Sequence, residues 1–155
     1  MPYTGISRRF SKLSWEEFNE EVCRHHNEHL MEGIVAGCAL VAYADGWVTE
    51  EEHGRMLALL RGFGPIAVFG LDDVTITFES LTEQFIADQK GGEAAALAAV
   101  ARLRGAQRYP ALLVEACCAI ADADGGFDAE ERAVAIRICN VLGLDPASFG
   151  LTNAP

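Results

Sequence analysis

Positive charge is scarce in this chain. Lysine and arginine total 12 against 23 aspartates and glutamates, a formal charge of −11. Such a surface repels nucleic acid and anionic lipid headgroups, because both need cationic partners. It favours cations, basic proteins, or simply staying in solution. No apolar run reaches the roughly 20 residues of a bilayer-spanning helix, so direct membrane insertion is not expected. Met1 to Phe10 lack the apolar stretch of a secretory signal, and the chain reads as cytoplasmic. The five cysteines are an odd count set within helical apolar patterns, which is not the framework of a secreted disulfide scaffold. Aromatic residues are only 8% of the chain, while alanine and glycine are frequent. That mix suits closely packed helices better than a β-sandwich. No nucleophile elbow, phosphate loop or dinucleotide fingerprint occurs, and the chain is read as not an enzyme.

What is present is a 155-residue chain, half of it apolar. One domain of this size buries roughly 70% of the surface that its unfolded chain exposes, enough for a core without disulfides or a structural metal. Residues 1–13 read as an irregular, mildly basic segment (Arg8, Arg9, Lys12), and residues 14–151 as a single helical domain. Ser14 opens a helix with Glu17 in a capping-box position and Trp15, Phe18 and Val22 as its apolar stripe, with a break near Asn27. Next comes a helix over about Glu28 to Ala44, with Leu30, Ile34, Cys38 and Val41 on one face. Thr49 and Glu52 form another capping box, before a helix carrying Met56, Leu57 and Leu60 that stops near Gly62-Phe63-Gly64-Pro65. Asp72 or Asp73 starts the following helix (Val74, Phe78, Leu81, Phe85), against the β-branched run Val74-Thr75-Ile76-Thr77. Gly91-Gly92 is expected to separate it from an alanine-rich helix ending at Arg104-Gly105. Helices over about Ala106–Ala123 and Ala129–Leu142 follow, the latter closed by Gly143. Asp145-Pro146 caps a final short turn. The sum is an all-α fold of about seven helices.

Two stretches of this pattern coincide at an offset of 79 residues. Cys38, Ala42, Ala44, Asp45 and Gly46 align with Cys117, Ala121, Ala123, Asp124 and Gly125. Beyond the turn, Val48, Thr49, Glu51, Glu52 and Gly64 align with Phe127, Asp128, Glu130, Glu131 and Gly143. The chain therefore reads as a duplicated helix–acidic turn–helix unit, with approximate two-fold symmetry between the copies. In each copy Asp-Gly ends the incoming helix, glycine taking the left-handed conformation. Val48 or Phe127 plugs the turn into the core. Thr49 or Asp128 caps the outgoing helix, and acidic residues in its first turn meet the positive end of the helix dipole.

That account explains most of the turn chemistry without a ligand. The functional reading is a divalent cation, since Asp122, Asp124, Asp128, Glu130 and Glu131 crowd together and hard ions seek clustered carboxylate oxygens. Asp45, Glu51 and Glu52 are the first turn's counterparts. The spacing is not that of an EF-hand, whose loop has glycine at its sixth position; here glycines stand fourth and fifth from Asp122. The ion would be Ca²⁺, Mg²⁺ or Mn²⁺ in preference to Zn²⁺, held partly through water. The first turn has Tyr43 where the second has Asp122, so the second is the better supplied.

Met31-Glu32-Gly33, Cys38-Ala39 and Ala44-Asp45-Gly46 through Glu51-Glu52 resemble the tellurite-resistance TerB family. So do Ala121 to Glu131 and the ending Gly143-Leu144-Asp145-Pro146-Ala147-Ser148-Phe149-Gly150-Leu151. The resemblance runs from about residue 28 to residue 151, specific at the acidic turns and the ending and loose between them. It implies an internally duplicated all-α fold and a bacterial cytoplasmic protein tied to resistance to tellurite and other chemical or phage stress. It also implies a non-catalytic component of a stress-response assembly of other proteins, some reached at the inner membrane through a partner. Metal chelation by acidic residues is implied as well, at Asp45, Glu51 and Glu52 and at Asp124, Glu130 and Glu131. Tyr43 opposite Asp122, and Trp47 opposite Gly126, make the copies unequal.

Two other groups carry chemistry. His25 and His29 stand one helical turn apart beside His26, a spacing that can chelate zinc or copper, although a solvated histidine cluster accounts for it without metal. Cys117-Cys118 invites soft-ion or redox chemistry, yet adjacent helical residues point about 100° apart, and buried cysteine behaves as a small hydrophobe. Three functions follow: a resistance adaptor that binds cations at the acidic turns, a metal-independent domain docking a basic partner on its acidic face, and direct thiol chemistry on the toxicant through Cys117 or Cys118.

Overall fold

From Leu30 to Val41 the chain carries a single charged residue, Glu32, and this segment is the axis of the domain. The computed structural model describes residues 28–46, 48–63, 66 and 69–151. They form six α-helices, α1 (Glu28–Ala42), α2 (Glu50–Gly62), α3 (Leu71–Ala87), α4 (Gln89–Ala101), α5 (Tyr109–Ala123) and α6 (Ala129–Leu142), then a 3-10 turn over Pro146–Phe149. No strand occurs among the described residues, and the all-α expectation holds. The helix expected from Ser14, its stripe of Trp15, Phe18 and Val22, the segment 1–13, His25, His26, Trp47, Gly64 and Pro65 lie outside the described residues.

Helix α1 packs against each of the other five helices. Eleven of its residues between Leu30 and Val41 are buried, so the expected single apolar face is in fact a helix buried all round. The one charge of that stretch points outward, where Glu32 accepts a hydrogen bond from Arg102 at 2.9 Å. Close approach to α5 depends on two glycines one turn apart. A methyl group on Gly33 would lie 2.6 Å from Leu103 Cδ1 and 2.9 Å from Leu113 Cδ1. One on Gly37 would lie 2.8 Å from Cys117 Sγ and 3.3 Å from Leu113 Cδ2. Advancing from Gly33 to Gly37 thus moves the contact from Leu113 towards Cys117. The two helices run in the same direction, and their C-terminal ends come to the same end of the domain.

Several boundaries differ from the sequence expectation. Helix α1 stops at Ala42, because Tyr43 to Asp45 already turn and the Gly46 N–H donates to the Tyr43 carbonyl at 3.0 Å. Helix α5 starts at Tyr109, where Pro110 occupies a first-turn position that needs no N–H donor. Helix α3 wins over its β-branched run: Thr75 turns its hydroxyl onto the Leu71 carbonyl at 2.8 Å and accepts from Arg61 at 2.6 Å. The break between α3 and α4 falls at Asp88, in extended conformation, and Gly91 and Gly92 lie inside α4. The physical reason is packing. A methyl group on Gly92 would lie 2.6 Å from both the backbone nitrogen and the Cα of Phe85, so glycine lets α4 fold back tightly over the end of α3.

These distances separate the two neighbouring glycines. Gly92→Ala forces backbone apart and should lower stability by about 1–3 kcal/mol, the usual penalty of overpacking. A methyl group on Gly91 would meet only the Asp88 carboxylate, at 2.7 Å, a side chain that can swing away. Gly91→Ala should therefore be neutral or stabilise by up to about 1 kcal/mol through helix propensity. Urea unfolding of both variants reads the difference, and equal losses would contradict the packing described for Gly92.

Candidate functional site

Both acidic turns form as the residue types dictate. Gly46 and Gly125 have φ of 100°, and Gly126 has φ of 98°, a region that residues with a Cβ seldom enter. In the second turn the Gly126 N–H reaches back to the Ala121 carbonyl at 2.7 Å, closing the end of α5. Val48 and Phe127 are partly buried against the core. At the start of α2, Thr49 Oγ1 accepts from the Glu52 N–H at 3.1 Å, and Glu52 Oε1 accepts from the Thr49 N–H at 2.9 Å. At the start of α6, Asp128 Oδ1 accepts from the Glu131 N–H at 2.8 Å, and Glu131 Oε1 accepts from the Asp128 N–H at 2.9 Å. Each capping box satisfies backbone donors that a helix start leaves open.

The parallel course of α1 and α5 sets the two turns beside each other. Burial raises the Glu131 carboxyl above its ordinary range, and the Asp128, Asp124 and Asp45 carboxylates push it the same way, against the hydrogen bond from the Asp128 backbone. Four of the eight candidate ligands, Asp45, Asp124, Asp128 and Glu131, thus share one electrostatic neighbourhood that spans both turns. Glu51 and Glu130 lie exposed in the first turns of α2 and α6 and are not among the charges acting on Glu131. Glu52 is held in its capping box, and Asp122 is half-buried near the end of α5. Among the described residues, no three His, Cys, Asp or Glu side chains converge closely enough to hold a metal ion directly. Capping bonds already engage oxygens of Asp128 and Glu131, so the carboxylates suit a hydrated ion bridged through water.

Two charged residues, one at this end and one midway along α5, were not singled out by sequence reasoning. Arg55 of α2 reaches Asp124 with its Nε at 3.2 Å from Oδ1, pairing the second turn with the first hairpin. The signal was there: Arg55 is the one Lys or Arg between Glu50 and Leu60. Glu115 interrupts the apolar run of α5, and its Oε2 is buried without a hydrogen-bond partner among the described residues. Burial pushes its carboxyl up to about 7, with Arg108 opposing. His29 is exposed at the start of α1. Cys38, Cys117, Cys118 and Cys139 are all buried. Among the described residues no helix is long and apolar enough to cross a membrane.

Residues 31–154, which include both turns and the terminal Gly143-to-Leu151 segment, match the sequence profile of the family described as tellurite resistance protein TerB. The chain belongs to the TerB family. It is also 35% identical over 78 residues to the tellurium resistance protein TerB of an Alcaligenes species. That alignment covers 50% of this chain and 64% of the relative, less than two thirds of its length. No solved structure matches the chain. TerB membership agrees with the resemblance seen at Ala44-Asp45-Gly46 and in the ending.

Two variants test this chemistry. Asp128→Ala removes the cap of α6 and should destabilise by about 0.5–2 kcal/mol, read as a lower melting temperature. Glu115 tests linkage. Its folded-state pKa lies above its unfolded value, so its stabilising contribution is present at low pH and fades as pH rises from the ordinary carboxylate range to about 7. Glu115→Gln should flatten that decline and add about 1–2 kcal/mol at pH 8, discounted for residual solvent contact. Denaturant midpoints of wild type and variant at pH 4 and pH 8 give the comparison; parallel shifts at both would refute it.

Proposed function

We propose that this protein is a non-catalytic component of a tellurite and chemical-stress resistance system. It acts as an adaptor whose acidic end collects a divalent cation, Ca²⁺, Mg²⁺ or Mn²⁺. The system is suggested by TerB membership and by the name of the Alcaligenes relative. The cation half is supported by grouping: Asp128 and Glu131 are joined in their capping box, Asp124 lines the same cavity as Glu131, and the Asp45 carboxylate of the first turn also acts on Glu131. A cation placed there relieves repulsion that the fold itself imposes. In this reading the protein works in the cytoplasm, and its partners are other proteins of the resistance assembly, through which it reaches the inner membrane.

A second reading is metal-independent docking of a basic partner on the same acidic end. The Arg55–Asp124 pair favours it, because a guanidinium already seats on the second turn. Direct thiol chemistry through Cys117 or Cys118 has less support. Both are buried, and the Cys117 thiol is held well above its ordinary range by its hydrogen bond to Cys38 and by burial, so little thiolate is available to react.

Isothermal titration with Ca²⁺, Mg²⁺ and Mn²⁺, with Zn²⁺ for comparison, distinguishes the first two readings. Cation binding predicts saturable heat that is mostly lost in Asp124→Asn, Glu131→Gln, together with lower tellurite tolerance in cells carrying that variant. No heat and no thermal shift at millimolar ion, with salt-sensitive capture of a basic protein, would favour the docking reading.

A further inference from the structure

We propose that Cys38, Met56 and Cys117 form a soft-metal site for one monovalent thiophilic ion, copper(I), in the cavity beneath the second acidic turn. The cavity measures about 10 Å³, enough for a single small guest, and Cys38 of α1, Met56 of α2 and Cys117 of α5 all line it. Three sulfur-bearing residues from three helices therefore face one cavity. Cys38 and Cys117 line the cavity together, and the Cys38 thiol acts on the Cys117 thiol there, so an ion between them can take the place of their protons. Gly37 makes room for it, since a methyl group there would stand 2.8 Å from Cys117 Sγ.

The rest of the wall selects the guest. Val41 and Ile120 supply no oxygen to a hard ion, whereas thiolate and thioether ligands select copper(I). Zinc is disfavoured because its sites are built from Cys, His and carboxylate, and no three such side chains converge among the described residues. Asp124 and Glu131 close the polar end of the cavity. Their charge draws in a cation and repels oxyanions, tellurite included. Binding is a ligand exchange without electron transfer. Copper arrives and remains as Cu(I), two copper–sulfur bonds replace two S–H bonds, both protons leave to solvent, and the Met56 thioether adds a neutral third ligand. This site borders the carboxylate site proposed above, sharing Asp124 and Glu131 at its rim. Its ligands are sulfur and its ion is of a different class, so a sulfur-only shell tells the two apart.

The test uses the reduced full chain under anaerobic conditions, with copper(I) supplied as its bathocuproine disulfonate complex. The expected result is withdrawal of one copper per chain, with an X-ray absorption spectrum showing a sulfur-only shell. Cys38→Ala and Cys117→Ala should each weaken capture by at least the roughly 10–100-fold that loss of an outer-shell partner alone produces. Met56→Leu should weaken it less, and Cys118→Ala should leave it unchanged. Failure to withdraw copper, an oxygen or nitrogen shell, or unchanged capture by a Cys117→Ala protein with native circular dichroism would overturn the proposal. Should the alanine variants fail to fold, the absorption spectrum of the wild-type protein decides alone.

Discussion

Close contact between α1 and α5 is the constraint on which the acidic end of this domain rests. Gly33 and Gly37 present bare backbone to Leu113 and Cys117, and no larger residue fits at either position without moving a helix or a packed side chain. Because the helices run in the same direction, both deliver a turn to the same end. The turns meet there, and Asp45 comes to act on a glutamate 86 positions further along the chain. A wider crossing would leave two isolated capped turns with no shared field. The cavity of Cys38, Met56 and Cys117 lies under the same contact and depends on it equally.

Charge at this end follows from folding requirements before any ligand is considered. Helices α2 and α6 start here and need acceptors for their first N–H groups, which Thr49, Glu52, Asp128 and Glu131 provide. Helices α1 and α5 finish here with their negative dipole ends, which the positive ends of α2 and α6 offset, so the net charge of this end comes from the carboxylates. Arg55 compensates only in part, because its pair with Asp124 is largely solvent-exposed and exposed pairs contribute at most about 1 kcal/mol. The outcome is a fixed electronegative end built from residues whose first duty is structural.

How much of this could be read in advance divides along local and non-local lines. Helix α6 was readable to the residue, since Asp128, Glu131 and Gly143 are all signals within or beside the helix itself. Both capping boxes and the positive φ of Gly46 and Gly125 were likewise encoded in adjacent residues. Gly92 misled for the converse reason. In sequence Gly91-Gly92 looks like a breaker, and only the Phe85 backbone lying against it explains why glycine is needed inside a helix. Helix α1 shows the same limit, because a one-sided stripe of Leu30, Ile34, Cys38 and Val41 cannot reveal neighbours on every side. The eight acidic candidates were chosen by spacing along the chain alone. Which four share a field was decided by the crossing of α1 and α5, and no local pattern carries that information.

The burial of α1 on all sides also governs how the chain reaches its folded state. A helix with only one charged residue between Leu30 and Val41 cannot remain solvated while it waits for partners, yet α5, which its two glycines admit, begins about 70 residues after α1 ends. The segment from α1 through α2 is therefore not a folding unit of its own, despite having both ends of its turn capped. Local pairing of α3 with α4 can come early, because one residue, Asp88, separates them. Insertion of α1 must follow synthesis of α5 and closes a long loop. Until it is covered, the apolar axis is a surface open to self-association.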